Sequence, residues 1–218
     1  MVVRQVRFGD KYSNHDWELI LTNKEIGTPE VKESFISVPS GDGSIDVSEA
    51  LRGEPSYDDR EVSFSFDLLV EPDRQVKIRQ ELMGYLHGQK LKVIEPDDPF
   101  YYYVARLKVT DFKMSGWVVK VTIEGTAEPY KYKNELSLYN TTIGNGPLVI
   151  NCTNERKRVI PTVTVSETCS VVFEGRQYVL LEGDNRLTNV ILSKGDNHLE
   201  FRGAPNTDIK IEYREGAF

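Results

Sequence analysis

Cysteine and histidine are scarce in this chain of 218 residues. Two cysteines, Cys152 and Cys169, and three histidines are present, with no C-x-x-C, H-x-H or H-E-x-x-H spacing. Protein zinc sites use these two residue types at such spacings, so the sequence predicts no metal site. The two thiols are most simply reduced and semi-buried in strands, although the sequence alone leaves a disulfide open.

The motifs of common catalytic and nucleotide-binding sites are also absent. The chain has no G-x-S-x-G, no G-x-x-x-x-G-K-[ST] and no G-x-G-x-x-G after a strand. Two acid pairs, Asp58 with Asp59 and Asp97 with Asp98, are the minimum for glycoside hydrolysis, but neighbouring residues in a strand point to opposite faces. We therefore expect no catalytic residue and no cofactor. A glycoside hydrolase built from distant carboxylates is the third hypothesis for function.

The chain lacks an excess of basic residues and any long apolar run. Its formal net charge is -7 and its pI about 5.1, which argues against nucleic acid or an anionic membrane as a partner. The one basic cluster, Asn154 to Pro161, is expected to be a solvated turn or a charged strand edge. No apolar run long enough to cross a bilayer and no leader segment occur, so we expect no membrane span and synthesis in a cytoplasm.

The composition that remains, 39% hydrophobic and 28% charged, suits a folded protein. Apolar residues alternate with polar ones from Val62 to Leu68, which predicts a strand lying on a core. A helix is predicted between Pro72 and Gly88, with an apolar stripe on one face. From Phe100 to Ile123 the sequence predicts a long hairpin, in which Trp117 shares a face with Val119, Val121 and Ile123.

The first part of the chain reads as strands separated by polar segments. Trp17, Leu19 and Leu21 are predicted to share one face of a strand, and residues 24–32 to form a loop. The turn "SGDGSID" offers oxygen atoms for calcium, but Val47 and Gly53 occupy the positions where a calcium loop needs Gly and Glu. We therefore predict a turn followed by one helical turn that ends at Gly53.

Strand patterning lapses between Ala127 and Asn140, so we predict two domains, 1–134 and 135–218. In the second domain the apolar residues show no helical periodicity. Its short apolar segments are separated by turns such as "EGDN" and "SKGDN", which predicts a β-sandwich. The fold class is therefore mainly β, with a sandwich-like N-terminal domain that carries one helix and a long hairpin.

An ordered set of features resembles the distal tail (Dit) proteins of tailed phages. These are a tryptophan near the N-terminus, "VKESFISVPSGDGSIDVSEALRG", "YDDREVSFSF" and the final "LSKGDNHLEFRGAPNTDIKIEYREGAF". The resemblance implies a structural virion protein whose N-terminal domain forms a hexameric ring. That ring joins the tail tube to the lysin-like hub of the tail tip and holds receptor-binding or baseplate proteins. It also implies a galectin-like C-terminal domain.

The ring would leave a bore through which DNA passes without specific binding. Six copies at -7 each carry a formal charge of about -42, and any share that lines the bore would repel DNA. Tyr, Trp and Arg dominate the energetics of protein contacts. The residues predicted for the subunit interface are Trp17, Tyr57, Arg60, Tyr101, Tyr103 and Trp117. For Trp17 and Trp117 a place in the core is the better interpretation.

A carbohydrate-binding adhesion module is the alternative from another class. Sugar sites combine polar side chains with an aromatic ring under the pyranose. The polar candidates are Asn185, Asn197, His198, Glu200 and Arg202. A suitable aromatic side chain is less obvious, because Phe173, Tyr178 and Phe201 lie in predicted strands and could equally be core residues. A likeness of fold is a weak basis for function, so a scaffold role ranks above sugar binding.

Overall fold

The computed structural model describes residues 4–50 and 53–218. The chain divides into two compact units, Met1–Pro129 and Tyr130–Phe218, whereas the sequence analysis placed the division at residue 134. Among the described residues, strands dominate and two helices occur, so the prediction of a mainly β fold is confirmed. Neither helix has the length and apolar composition needed to cross a membrane.

The N-terminal unit contains eleven strands and both helices. In chain order they are β1 (Arg7–Phe8), β2 (Lys11–Tyr12), α1 (Ser13–Trp17), β3 (Ile20–Ile26), β4 (Val31–Lys32), β5 (Phe35–Ser37), β6 (Ser44–Asp46), β7 (Ser56–Tyr57), β8 (Arg60–Leu69), α2 (Pro72–Tyr85), β9 (Lys90–Ile94), β10 (Tyr101–Ser115) and β11 (Val118–Ala127).

Seven of these strands form one antiparallel sheet in the order β2-β1-β9-β10-β11-β8-β3. The sheet curves until its two ends face each other. Phe8 on β1 lies edge-on to Phe64 on β8, with ring centroids 5.6 Å apart. Lys24 on β3 forms ion pairs with Glu95 and Asp97, which follow β9. The sequence patterns for β8 and for the β10–β11 hairpin are confirmed.

The inner face of the curved sheet and one side of α2 form a single core. Val62, Phe64, Phe66 and Leu68 are all at most 2% exposed, as their alternation predicted. The predicted stripe on α2 packs against them through Ile78, Leu82 and Leu86. Pro72 begins the helix, and Gly88 follows its end with a φ of +80°. His87 accepts a hydrogen bond from the Val109 amide at a bulge in β10.

Two predictions for the first thirty residues are wrong. Trp17 is the last residue of α1 and not part of a strand, because Glu18 adopts a left-handed conformation that ends the helix. Trp17 and Leu19 are nevertheless fully buried. The polar segment after Leu21 continues as a strand to Ile26, since ladder bonds to β8 satisfy its backbone groups whatever its side chains are. The imperfect alternation of Val2, Arg4, Val6 and Phe8 predicts a short strand. Positions 2 and 3 lie outside the described residues, and β1 covers Arg7 and Phe8.

The C-terminal unit is a sandwich of short strands. They are β12 (Lys131–Lys133), β13 (Ser137–Thr142), β14 (Leu148–Asn154), β15 (Thr162–Val165), β16 (Cys169–Phe173), β17 (Arg176–Leu180), β18 (Gly183–Asn185), β19 (Gly195–Arg202), β20 (Asp208–Tyr213) and β21 (Gly216–Ala217). Two four-stranded sheets, β13-β20-β15-β18 and β14-β19-β16-β17, enclose one apolar core. β12 pairs with β21.

Three expectations for this unit are corrected. Strands β12 and β13 lie where strand patterning lapses, because the ladder with β20 supports the polar sequence of β13. The apolar run "NVIL" (Asn189 to Leu192) predicts a strand by its composition, but this segment is not one, although Val190 and Leu192 are buried. The basic cluster is not simply solvated, since Lys157 lies over the Tyr132 ring and Arg156 over the Phe218 ring, at 4.4 and 5.4 Å.

Candidate protein interaction surface

An arm, defined as residues 28–58, leaves the sheet between β3 and β8. Within the part of the arm that the structure describes, the strands pair with one another, β4 with β7 and β5 with β6. Every residue from position 30 to 46 is exposed. A lone two-stranded ribbon is at best marginally stable in water, so the arm gains little from contacts with its own chain.

The arm exposes apolar side chains far from any core. Phe35, Ile36 and Ile45 are 54–56% exposed and Val38 is 41% exposed. Ile36 lies opposite Ile45 in the β5–β6 ladder. Covering these four half-exposed side chains would contribute on the order of 3–6 kcal/mol. Apolar side chains grouped in this way on a monomer mark a contact surface.

The predicted turn and helical turn lie within the arm. A hydrogen bond with the Ser48 side chain lowers the pKa of Asp46, and so does the one that the Ser48 amide donates to Asp46 Oδ1 over 2.9 Å. The Gly53 amide bonds to Glu49 O over 2.7 Å with Gly53 at a φ of +68°. Positions 48–50 are a turn and not a helix; Leu51 and Arg52 lie outside the described residues.

The arm also concentrates negative charge. Residues 28–58 contain seven acidic residues, Glu30, Glu33, Asp42, Asp46, Glu49, Glu54 and Asp58, and two basic ones, Lys32 and Arg52. Seven negative and two positive charges leave -5, out of -7 for the whole chain. The remaining residues therefore carry only -2 between them.

A second apolar surface, the hairpin tip, lies at the β10–β11 turn. Its residues are Leu69, Met114, Trp117 and Val118, with exposures of 58, 47, 64 and 38%. Gln75 on α2 donates to the Gly116 carbonyl over 2.8 Å and so holds the turn. Trp117 was expected on the buried face with Val119. That prediction is wrong, because Trp117 precedes β11 in the turn, where strand alternation does not apply.

Three of the residues predicted for the interface are inside the N-terminal unit. Trp17 is fully buried, and Arg60 and Tyr103 are 5% exposed. The Arg60 guanidinium lies over the Tyr103 ring, 5.4 Å from its centroid, and donates to the Pro129 carbonyl. Burial lowers the pKa of Arg60, against the opposing effect of Tyr103. These three side chains stabilise the monomer. Of the other predicted residues, Trp117 is exposed, and Tyr57 and Tyr101 are half-buried.

Two of the predicted sugar contacts have a structural role instead. Asn197 accepts the Ser193 amide over 2.8 Å and donates to the carbonyls of Ser193, Gly195 and Cys152. Asn185 makes the same four bonds with Leu181, Gly183 and Val163. Both asparagines follow a Gly-Asp pair whose glycine has a φ near +95°. The "GDN" motif thus occurs twice. In each copy the side-chain amide of the asparagine closes a turn and ties that turn to the neighbouring strand.

The other three sugar candidates lie on the outer face of β19. His198 and Arg202 are exposed, and Arg202 pairs with Glu200 over 2.6 Å. Across the ladders they lie opposite Asn151, Val149, Ser170 and Val172, none of which carries an aromatic ring. Phe173 and Phe201 are at most 4% exposed, and Tyr178 packs against the core. The geometry provides the polar groups of a sugar site without the ring that such a site needs.

The structure gives little support for a metal site or for a reactive cysteine. Within residues 4–50 and 53–218, no three His, Cys, Asp or Glu side chains group as metal ligands. Cys152 and Cys169 are free and buried. Burial raises the pKa of both thiols, to about 12 for Cys152, so neither is an activated nucleophile.

Comparison with solved structures shows a likeness in fold to a phage protein. The chain is similar to the crystal structure of the SPP1 Dit protein, described as a paradigm of hub adsorption apparatus in phages that infect Gram-positive bacteria. The TM-score is 0.69, and the match covers 98% of this chain and 99% of that one. The chain has the fold of a phage Dit protein. No family model and no curated protein matches the sequence.

Both units fall within this match, so the Dit fold accounts for the whole described chain. The sequences are 13% identical, which is too low to carry individual residues from one protein to the other. The arm and the hairpin tip were therefore identified from burial and charge alone. In the sequence, the alternation of Glu33, Phe35 and Ser37 with Ser34, Ile36 and Val38 predicts a strand. It does not reveal the arm, although the lack of a neighbouring apolar run to cover that strand was a usable signal.

Proposed function

We propose that this chain is a structural protein of a phage tail tip that closes into a six-membered ring through its N-terminal unit. The observation that carries the proposal is the likeness to SPP1 Dit along the whole chain. The arm supports it. A cyclic ring needs two different complementary surfaces on each copy, and the apolar arm is one surface that this unit leaves exposed.

In this role the ring lies between the tail tube and the lysin-like hub of the tail tip. Receptor-binding or baseplate proteins attach to it, and the galectin-like C-terminal sandwich serves as a scaffold for them. The protein is made in the cytoplasm of the bacterial host and belongs to the virion. It has no enzymatic activity and binds no cofactor.

We keep an acidic bore in the proposal but assign it a smaller negative charge. The sequence analysis spread a charge of about -42 over six copies, but five of the seven net negative charges of each chain lie in the arm. Outside the arms, six copies share only 6 × (-2), or -12. DNA passing through the bore would therefore meet a weakly charged wall unless the arms themselves reach it.

Light scattering after size exclusion, at several protein concentrations, tests the ring. The expected mass is six times the 24.9 kDa of one chain, and that mass should persist on dilution. A species with the mass of one chain at every concentration would contradict self-assembly. A glycan array run on the same sample should show no binding, since the outer face of β19 lacks an aromatic ring, and a specific signal would revive the adhesion module.

A further inference from the structure

We propose that the acidic arm of one copy docks on a basic stripe of the N-terminal unit of the next copy. The inference rests on the proposed ring and names its contact. The basic stripe consists of Lys90 and Lys92 on β9 and Arg106 and Lys108 on β10. All four side chains are exposed on the outer face of the sheet, because they alternate with residues of the inner face such as Leu91, Val93, Ala105 and Leu107.

The ladder between β9 and β10 holds the four cations together. Arg106 lies opposite Lys90, and Val104 lies opposite Lys92. Two acids neutralise part of this charge: Glu128 pairs with Lys90 over 2.8 Å and Glu124 with Lys108 over 3.4 Å. Asp59 also lines the groove beside the stripe, so four positive charges against three negative ones leave a surplus of one. The two ion pairs are at the surface and are worth little, so a strongly acidic partner can compete with them.

The shape of the stripe suits a narrow ribbon. A groove of about 390 Å³ runs beside it, lined by Lys90, Arg106 and Lys108 together with Asp59, His87 and Glu128. The half-buried apolar side chains of Val104 and Ile94 share its face with the cations. The arm has the complementary composition, apolar at Phe35 and Ile36 and acidic at Glu33, Asp42 and Glu49. None of these three acids has an ion-pair partner among the described residues.

Charge complementarity selects the stripe over the hairpin tip as the receiving surface. Near the tip, Lys113 is paired with Asp111, and Lys120 lies opposite Asp67 in the ladder between β11 and β8, so each of these two cations has an acid beside it. A second copy is the occupant because the arm is acidic and the stripe is basic in every chain. Two unlike surfaces of one chain give a head-to-tail contact, which is the kind that closes a ring.

Charge reversal tests the contact without deleting a segment. The arm variant is E33K/D42K, the stripe variant is K92E/R106E, and the third protein combines all four changes. The control is E182K/K194E, which reverses two exposed charges in turns of the C-terminal unit. The assembly of each protein is measured by light scattering over a concentration series, and circular dichroism checks that each protein is folded.

We expect the arm and stripe variants each to raise the concentration for half-assembly at least tenfold, and the combined variant to recover most of that loss. The control should behave as the wild type, and wild-type assembly should weaken between roughly 50 and 500 mM salt. A combined variant no better than the single ones, or reversals that leave assembly unchanged, would overturn the contact while leaving the ring in place. A wild type that never assembles would overturn both.

Discussion

Replacing Asn197 with alanine should destabilise the C-terminal unit more than any other single change in its turns. The side chain is 7% exposed and holds four backbone groups. Its bond to the Cys152 carbonyl ties β19 to β14. A net hydrogen bond is worth about 0.5–1.5 kcal/mol, and an unsatisfied buried group costs about 1–3 kcal/mol. Together these values predict a loss of roughly 2–4 kcal/mol in the free energy of unfolding of this unit.

The repeated motif supplies an internal comparison. Asn185 makes the corresponding four bonds but is only half-buried, and its bond to the neighbouring strand is 3.3 Å long, against 3.1 Å for Asn197. In Asn185→Ala, water can replace some of the hydrogen bonds that the amide made. We therefore expect about half the loss in free energy of unfolding that Asn197→Ala causes. His198→Ala is the control, because His198 is exposed and adjacent to Asn197.

Thiol labelling in a urea titration measures this unit separately. Both cysteines are buried in the C-terminal unit, whereas Trp17 and Trp117 lie in the N-terminal unit and report on it by fluorescence. Asn197→Ala should lower the urea midpoint for thiol exposure by about 1–3 M and leave the fluorescence midpoint unchanged. Equal midpoints for Asn197→Ala and His198→Ala would refute the structural role assigned to this asparagine.

The two tryptophans should differ in their effect on stability: Trp17→Ala removes a fully buried ring and should cost about 3–5 kcal/mol, while Trp117→Ala, at an exposed position, should change stability by less than about 0.5 kcal/mol. In the folded protein at pH 8, neither thiol should react with a thiol reagent, because both are buried with raised pKa values; rapid native-state labelling would contradict their placement. Hydrogen bonds from Lys24 and Arg4 lower the pKa of Asp97 below its ordinary 3.8. The stability that ionised Asp97 contributes is present above pH 3.8 and is lost as the pH falls through the lowered pKa. In Asp97→Asn the melting temperature should therefore fall less steeply between neutral and acidic pH than in the wild type.

Regular periodicity made much of the fold predictable. The alternation in β8 and the stripe of α2 depend on which residues meet a core, and the structure buries those residues. The hairpin was predictable for the same reason, except at the turn around Gly116, which interrupts the alternation and leaves Trp117 exposed. Periodicity says nothing about residues in a turn.

Polar strands were beyond the reach of pattern analysis. β13 and the second half of β3 gain their stability from ladder bonds to β20 and β8, which form between residues distant in sequence. The same limit applies to the sugar candidates. Asn185 and Asn197 look like free polar groups in the sequence, and only the folded turns show that backbone groups engage each amide on several sides.

Averaged images of the purified full-length chain by electron microscopy test the ring most directly. The account predicts closed particles with sixfold symmetry, a central opening and a mass six times the 24.9 kDa of one chain. Arms should reach from each subunit to the next. Open filaments, twofold dimers or isolated single chains at all concentrations would contradict it.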